Sequence, residues 1–306
     1  MSSGVKKGVI AAIIAVAALT GLILGANMGY RAKFGNFYGA SENVFTIPDT
    51  GSGFIAQDVM TETYLQRHIV TGYMKNGSET PVYLIKPESG EVDRKVFIRL
   101  EDNSIYKGQA GGVAASNGFV YVADPDNMRL LVLDRTLLEL TSDGKSVPCM
   151  GVVDLKETGV RPDNLCLNGS KLYVAEDAGE TTKVISLTVS KSGTYGLKVT
   201  GETEFYLPAH TRGFAVMDTQ VVVSLTDEKG KGRIAVYDPM VLKNPEGNDL
   251  ETLRKEVPAP ASVEGISALT NNVLVLQSGA GRSFLGKVLT LDKCVTLDLQ
   301  KACAEE

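Results

Sequence analysis

Between residues 111 and 134 the chain reads GGVAASNGFVYVADPDNMRLLVLD. Three short apolar runs are broken at Asn117-Gly118 and at Asp124-Pro125-Asp126-Asn127. Such runs, bounded by turn-forming residues and rich in β-branched side chains, predict strands joined by hairpins. The same pattern recurs along the chain. First runs open at Gln57 (QDVMTE), Gly111 (GGVAAS), Asp163 (DNLCLN), Arg212 (RGFAVM) and Glu264 (EGISAL), about 50 residues apart. Second runs follow as RHIVTG, FVYVAD, KLYVAE, QVVVSL and NVLVLQ, and third runs as PVYLIK, RLLVLD, KVISLT, RIAVYD and KVLTLD. Fourth runs such as KVFIRL and TEFYLP are more variable. No repeat carries a 3.6-residue apolar period, which excludes a helical solenoid.

Four strands per repeat of about 50 residues is the arrangement of a propeller blade. The expected fold is all-β: a five-bladed β-propeller of four-stranded blades over residues 43–306. ENVFTIPDTGSGF, from Glu42, resembles ETEFYLPAHTRGF, from Glu202. Residues 43–48 are therefore expected to form the outer strand of the last blade and close the ring. CVTLDLQ near the C-terminus competes for that place. Closure removes the exposed sheet edges that invite pairing with other chains.

The N-terminus follows a different pattern. GVIAAIIAVAALTGLILGANMGY, residues 8–30, carries no charge between Lys7 and Arg31. A bilayer core of about 30 Å needs roughly 20 apolar helical residues. The run is long for a cleaved signal, and Leu24-Gly25-Ala26 is a poor cleavage site. It reads as an uncleaved signal-anchor behind a cytoplasmic tail of residues 1–7. RAKFGNFYGASE, residues 31–42, reads as a tether. The chain is then a single-pass protein of the cell membrane with its C-terminal domain extracytoplasmic.

Charge adds little. The net charge of −5 is spread along the chain, and no basic stripe marks a nucleic-acid partner. There are two His, no Trp and four Cys. No GxSxG is present, and neither His has a suitably spaced Ser or Cys. GAGRS, Gly279 to Ser283, reads as a hairpin rather than a phosphate cradle. A local Cys294–Cys303 bridge would pin the tail. Cys166 sits at the small inner-strand position also held by Ala114 and Ala215, which suits a buried free thiol, and a Cys149–Cys166 bridge stays open.

Polar residues that open inner propeller strands point toward the central channel. Here they are Gln57, Gly111, Asp163, Arg212 and Glu264, with Asp58, Asn164 and His210 beside them. This set suits a small polar ligand, a glycan, a protein partner or a divalent cation such as calcium, which takes oxygen ligands. Alternatively, Arg212 pairs with Asp163 and Glu264 and plugs the channel.

The 111–134 stretch resembles an NHL repeat and, more distantly, the SMP-30/gluconolactonase propellers. Gly112-Val113, Asn117-Gly118, VYVAD, Asn127, Arg129 and Asp134 carry the resemblance. It implies that Asp124, Asp126 and Asn127 satisfy backbone groups of a hairpin turn. The SMP-30-like lactonases hold a divalent metal through Glu, Asn and Asp, and the nearest residue types here are Glu264, Asn164 and Asp163. The sequence thus supports a membrane-anchored binding or interaction module. A metal-dependent, lactonase-like hydrolase at the channel mouth is the alternative.

Overall fold

The structure is a computed structural model and describes residues 3–177, 181–243 and 252–304. A long helix, α1 (Ser3–Lys33), leads into a short one, α2 (Gly35–Gly39), and then into β1 (Ser41–Thr46). Antiparallel strands follow in groups. The first group is β2 (Phe54–Glu62), β3 (Arg67–Met74), β4 (Pro81–Ile85) and β5 (Val92–Arg99). The second is β6 (Val113–Ser116), β7 (Phe119–Asp124), β8 (Arg129–Asp134) and β9 (Ser146–Asp154), with α3 (Arg135–Leu140) before β9. The third is β10 (Asn164–Asn168), β11 (Lys171–Asp177), β12 (Thr182–Thr194) and β13 (Leu197–Leu207). The fourth is β14 (Thr211–Val216), β15 (Val221–Thr226), β16 (Gly232–Tyr237) and β17 (Leu253–Ala259). The last contains β18 (Val263–Ala268), β19 (Val273–Gln277) and β20 (Lys293–Leu297), with α4 (Gly279–Arg282) and α5 (Phe284–Val288) before β20 and α6 (Leu299–Ala302) after it.

Within each group, neighbours in sequence are neighbours in the sheet. The exception closes the molecule. β1 pairs antiparallel with β20, from Ser41 opposite Leu297 to Thr46 opposite Lys293, so the last sheet runs β1-β20-β19-β18. The strand expected over 43–48 is thus two residues early, and CVTLDLQ supplies the third strand rather than the outer one. The first two groups also join. β5 and β9 pair in parallel through Phe97–Arg99 and Ser146–Pro148, which makes one eight-stranded sheet.

The core lies between the sheets. One apolar cluster places Leu84 and Val96 against Val120 and Leu131; another places Val132 and Leu155 against Leu172 and Val174. Tyr173 and Phe205 meet Phe214 and Val223 in a third, and Val222 and Ile234 meet Val275 and Val295 in a fourth. Leu274 and Leu276 meet Val70 and Ile85 in the last. The first strands β2, β6, β10, β14 and β18 touch in that order, and β18 returns to β2. Their crowding requires small residues. A Cβ on Gly265 would lie 2.6 Å from Asp58 Cα, so the β18–β2 approach depends on glycine.

Local chemistry explains the turns. Asn117 and Gly118 both take positive φ, 51° and 87°, and join Ser116 to Phe119 as a two-residue hairpin loop. At the next turn Asp124 is fully buried. Its carboxylate accepts from Arg129 Nε at 2.7 Å, Asn127 Nδ2 at 2.9 Å and Tyr106 Oη at 3.0 Å. The Asp-Pro-Asp-Asn knot is therefore a turn organised around one carboxylate, which ties it to the preceding loop.

Four expectations need correction. KVLTLD is not a strand: Val288 ends α5, and Ser283 Oγ caps that helix by accepting from Gly286 N. GAGRS is not a hairpin, since Gly279–Arg282 is helical. Residues 31–42 are not a loose tether. α1 continues to Lys33, and Phe34, Phe37 and Ala40 are buried against Val222, Ile234 and Leu297. The four cysteines are all free thiols, so neither expected bridge is present. Cys294 is enclosed within its sheet, and Cys166 Sγ instead accepts from Val216 N at 3.2 Å.

Candidate functional site

The inner strands begin at one end of the ring, and there the chain gathers polar side chains. Gln57, Asp163, Asn164, Arg212 and Glu264 line one cavity of about 120 Å³, together with Gln109, Arg161 and Thr211. Five residues expected from the aligned repeats therefore converge. Gly111 stands on the same rim, where its close neighbour is the Asp163 carbonyl. Asp58 and His210 do not line the cavity. Asp58 turns into the junction between first strands, and its carboxylate accepts from Val59 N at 2.8 Å and Val113 N at 2.9 Å. Burial pushes its carboxyl well above the usual range, against the opposing pull of those two N–H donors. His210 takes a positive φ of 62° in the turn before β14, where its carbonyl accepts from Thr226 N.

The cavity is balanced in charge. Arg161 donates through Nε and Nη2 to Asp163 Oδ2 at 3.1 and 3.0 Å. Glu264 pairs at 2.8 Å with Nη2 of Arg282, whose Nε also donates to Ser278 Oγ at 3.2 Å. Gln109 donates to Gln57 Oε1 at 3.0 Å. The carboxylates of Asp163 and Glu264 thus both carry guanidinium partners. The expected metal set of Asp163, Asn164 and Glu264 offers two carboxylates that are already compensated. Among the described residues no group of three or more His, Cys, Asp or Glu side chains is gathered as metal ligands would be. The donor set therefore fits a dedicated divalent-cation site poorly.

Gln109, Arg161, Thr211 and Arg282 escape the sequence reading. The first three lie one or two residues upstream of the aligned strand openings, Gln109 and Arg161 in connections with no alternation to mark them and Thr211 at the first residue of β14. Arg282 comes from α4, a stretch that reads as a hairpin. A second cavity of about 220 Å³ lies toward the far ends of the first strands, lined by Met60, Ala115, Leu167 and Ala268 among others.

No protein family matches the sequence, and no curated protein does. Solved structures do match. Glutaminyl cyclase from Myxococcus xanthus superposes with a TM-score of 0.50 at 9% identity, over 77% of this chain and 90% of that one. The tail fiber of Staphylococcus aureus phage P68 gives 0.48 at 12% identity, over 86% and 53%. A nidogen/laminin complex gives 0.45 at 11% identity, over 82% of each chain. The similarity to the cyclase supports a β-propeller-like fold for this chain.

Proposed function

We propose that the protein is a membrane-anchored, extracytoplasmic, five-bladed β-propeller that binds a small polar ligand at the mouth of its channel. The observation that carries this reading is the convergence of Gln57, Asp163, Asn164, Arg212 and Glu264, from separate repeats, on one polar cavity. The blade count rests on the cyclic contacts of the five first strands. The anchor rests on Ala12–Lys33, which has a mean hydropathy of 1.9 and contains no fully buried residue. At 1.5 Å per residue that window is about 33 Å long, enough for a bilayer core.

Size and charge narrow the ligand. Pockets for drug-sized molecules usually hold about 300–1,000 Å³ and are mostly apolar. A polar space of about 120 Å³ suits a compact solute of a few heavy atoms. Two arginines and two carboxylates on the wall leave it without a net charge, which favours a compact solute that is itself neutral overall, such as a small zwitterion or polyol. The hydrolase alternative would need a cation at Asp163, Asn164 and Glu264, and their arginine partners weigh against it.

The test is thermal unfolding of the full chain in detergent micelles against small zwitterions, carboxylates and sugars, with calcium and EDTA in parallel. A ligand at about 100 times its Kd stabilises by about 2.7 kcal/mol. The expected result is a rise in Tm with a compact zwitterion that is lost in Asp163→Asn. A rise with calcium that EDTA reverses would instead favour the metal reading. No response to any solute would remove the binding reading.

A further inference from the structure

We propose that the α4–α5 insertion is a second membrane contact, which holds the channel mouth toward a bilayer with anionic headgroups. The inference rests on the reading of α1 as a membrane anchor. α5 opens on an exposed apolar step: Phe284 is 82% and Leu285 64% exposed. Phe284 is the most exposed large hydrophobic among the described residues, in a chain whose other aromatic rings are mostly buried. What covers it is indicated by its neighbour. Asn27 of α1 donates to the Val288 carbonyl, and Thr290 Oγ1 donates to Asn27 Oδ1 at 3.3 Å. Asn27 lies inside the uncharged run that ends at Tyr30, about 4.5 Å from that end. An element bound to α1 at that depth meets the edge of any bilayer that α1 crosses.

The rim is basic. Lys287 lies on α5 itself, and Lys75 Nζ donates to the Arg282 carbonyl at 3.2 Å. Basic residues next to an apolar wedge suit a surface of anionic lipids, the arrangement of interfacial anchors. The register fixes which end of the ring is involved. Val263 pairs with Gln277, so the insertion leaves the sheet at the end where Glu264 opens the cavity. Arg282 joins the two directly through its ion pair with Glu264.

The chain contains no Trp, so one can be introduced as a sole reporter. The full chain is reconstituted into liposomes containing phosphatidylglycerol, as Phe284→Trp and, separately, as Leu140→Trp. Leu140 is 72% exposed on α3, which leaves its sheet at the opposite end. Flotation of the liposomes and resistance to carbonate extraction report on the anchor. Quenching by brominated lipids reports on the insertion. The expected result is blue-shifted Phe284→Trp emission quenched several-fold more than Leu140→Trp. Flotation with equal, weak quenching at both positions overturns the inference and leaves the anchor standing. A blue shift without lipid quenching also overturns it, because a protein partner then covers Phe284. Failure to float overturns the anchor reading, and the inference with it.

Discussion

Asp58 and Asp163 stand two repeats apart in closely related positions, yet they do different work. Asp163 faces the cavity and meets a guanidinium. Asp58 faces away from water and meets only backbone N–H groups. The difference makes Asp58 a pH-dependent clamp between β2 and β6. Its carboxyl titrates near 3.9 in the unfolded chain and well above that in the folded one. The folded state therefore holds its proton more tightly. The stability it contributes is fully present below about pH 4 and is lost as pH rises through the raised value. Other carboxylates act in reverse; Lys95 and Tyr83 beside Asp49 hold its carboxyl low. The contrast between variants isolates the clamp. Urea midpoints from pH 4 to pH 8 should show that the decline on raising pH is flattened in Asp58→Asn. Parallel profiles for the two proteins would remove the clamp.

At the level of elements, the segment after α1 is the point where periodicity misleads. Phe34 is separated from Phe37 and Tyr38 by Gly35 and Asn36, which reads as a linker, but α2 turns Phe37 fully inward. Truncating a buried Phe to Ala typically costs about 3–5 kcal/mol. Phe37→Ala should lose about that much in urea unfolding of the full chain, whereas a loss under about 1 kcal/mol would restore the tether. The strands were legible because β-branched runs, Asn-Gly breaks and a repeating distance all agreed. The cavity was half legible for the same reason: repeats align the first residues of inner strands, but not the loops before them. Arg161 and Gln109 therefore had no register to betray them. α5 failed differently. Lys287 to Asp292 alternates well enough for a strand, and a short apolar run does not distinguish strand from helix. Ser283, three residues before the Gly286 N–H that it caps, was the available clue.

Across the whole molecule, two long-range approaches close the ring: β18 packs against β2, and β1 pairs with β20. The β1–β20 pairing supplies the outer strand of the last sheet, and Thr296 Oγ1 reaches the Glu42 carbonyl across 254 residues of sequence. Removing residues 293–304 would leave β1 without its partner and expose the edge of β19. Such a chain should lose the single cooperative urea transition expected of the full chain, followed by tyrosine fluorescence and far-UV circular dichroism. Retention of one sharp transition would show that the sheets hold the ring without closure. The joined β5 and β9 strands suggest where partial order would survive, since they tie the first two sheets together independently of the termini.

The same pairing has a consequence for biosynthesis. Ribosomes add about 5–20 residues per second, so the first partner strand waits roughly 12–50 s for the second. Throughout that interval β1 is a nascent strand without its partner, a few residues beyond α1. A cell that makes this protein must shield that strand, and slowing elongation late in the message would lengthen the exposure without altering a single residue.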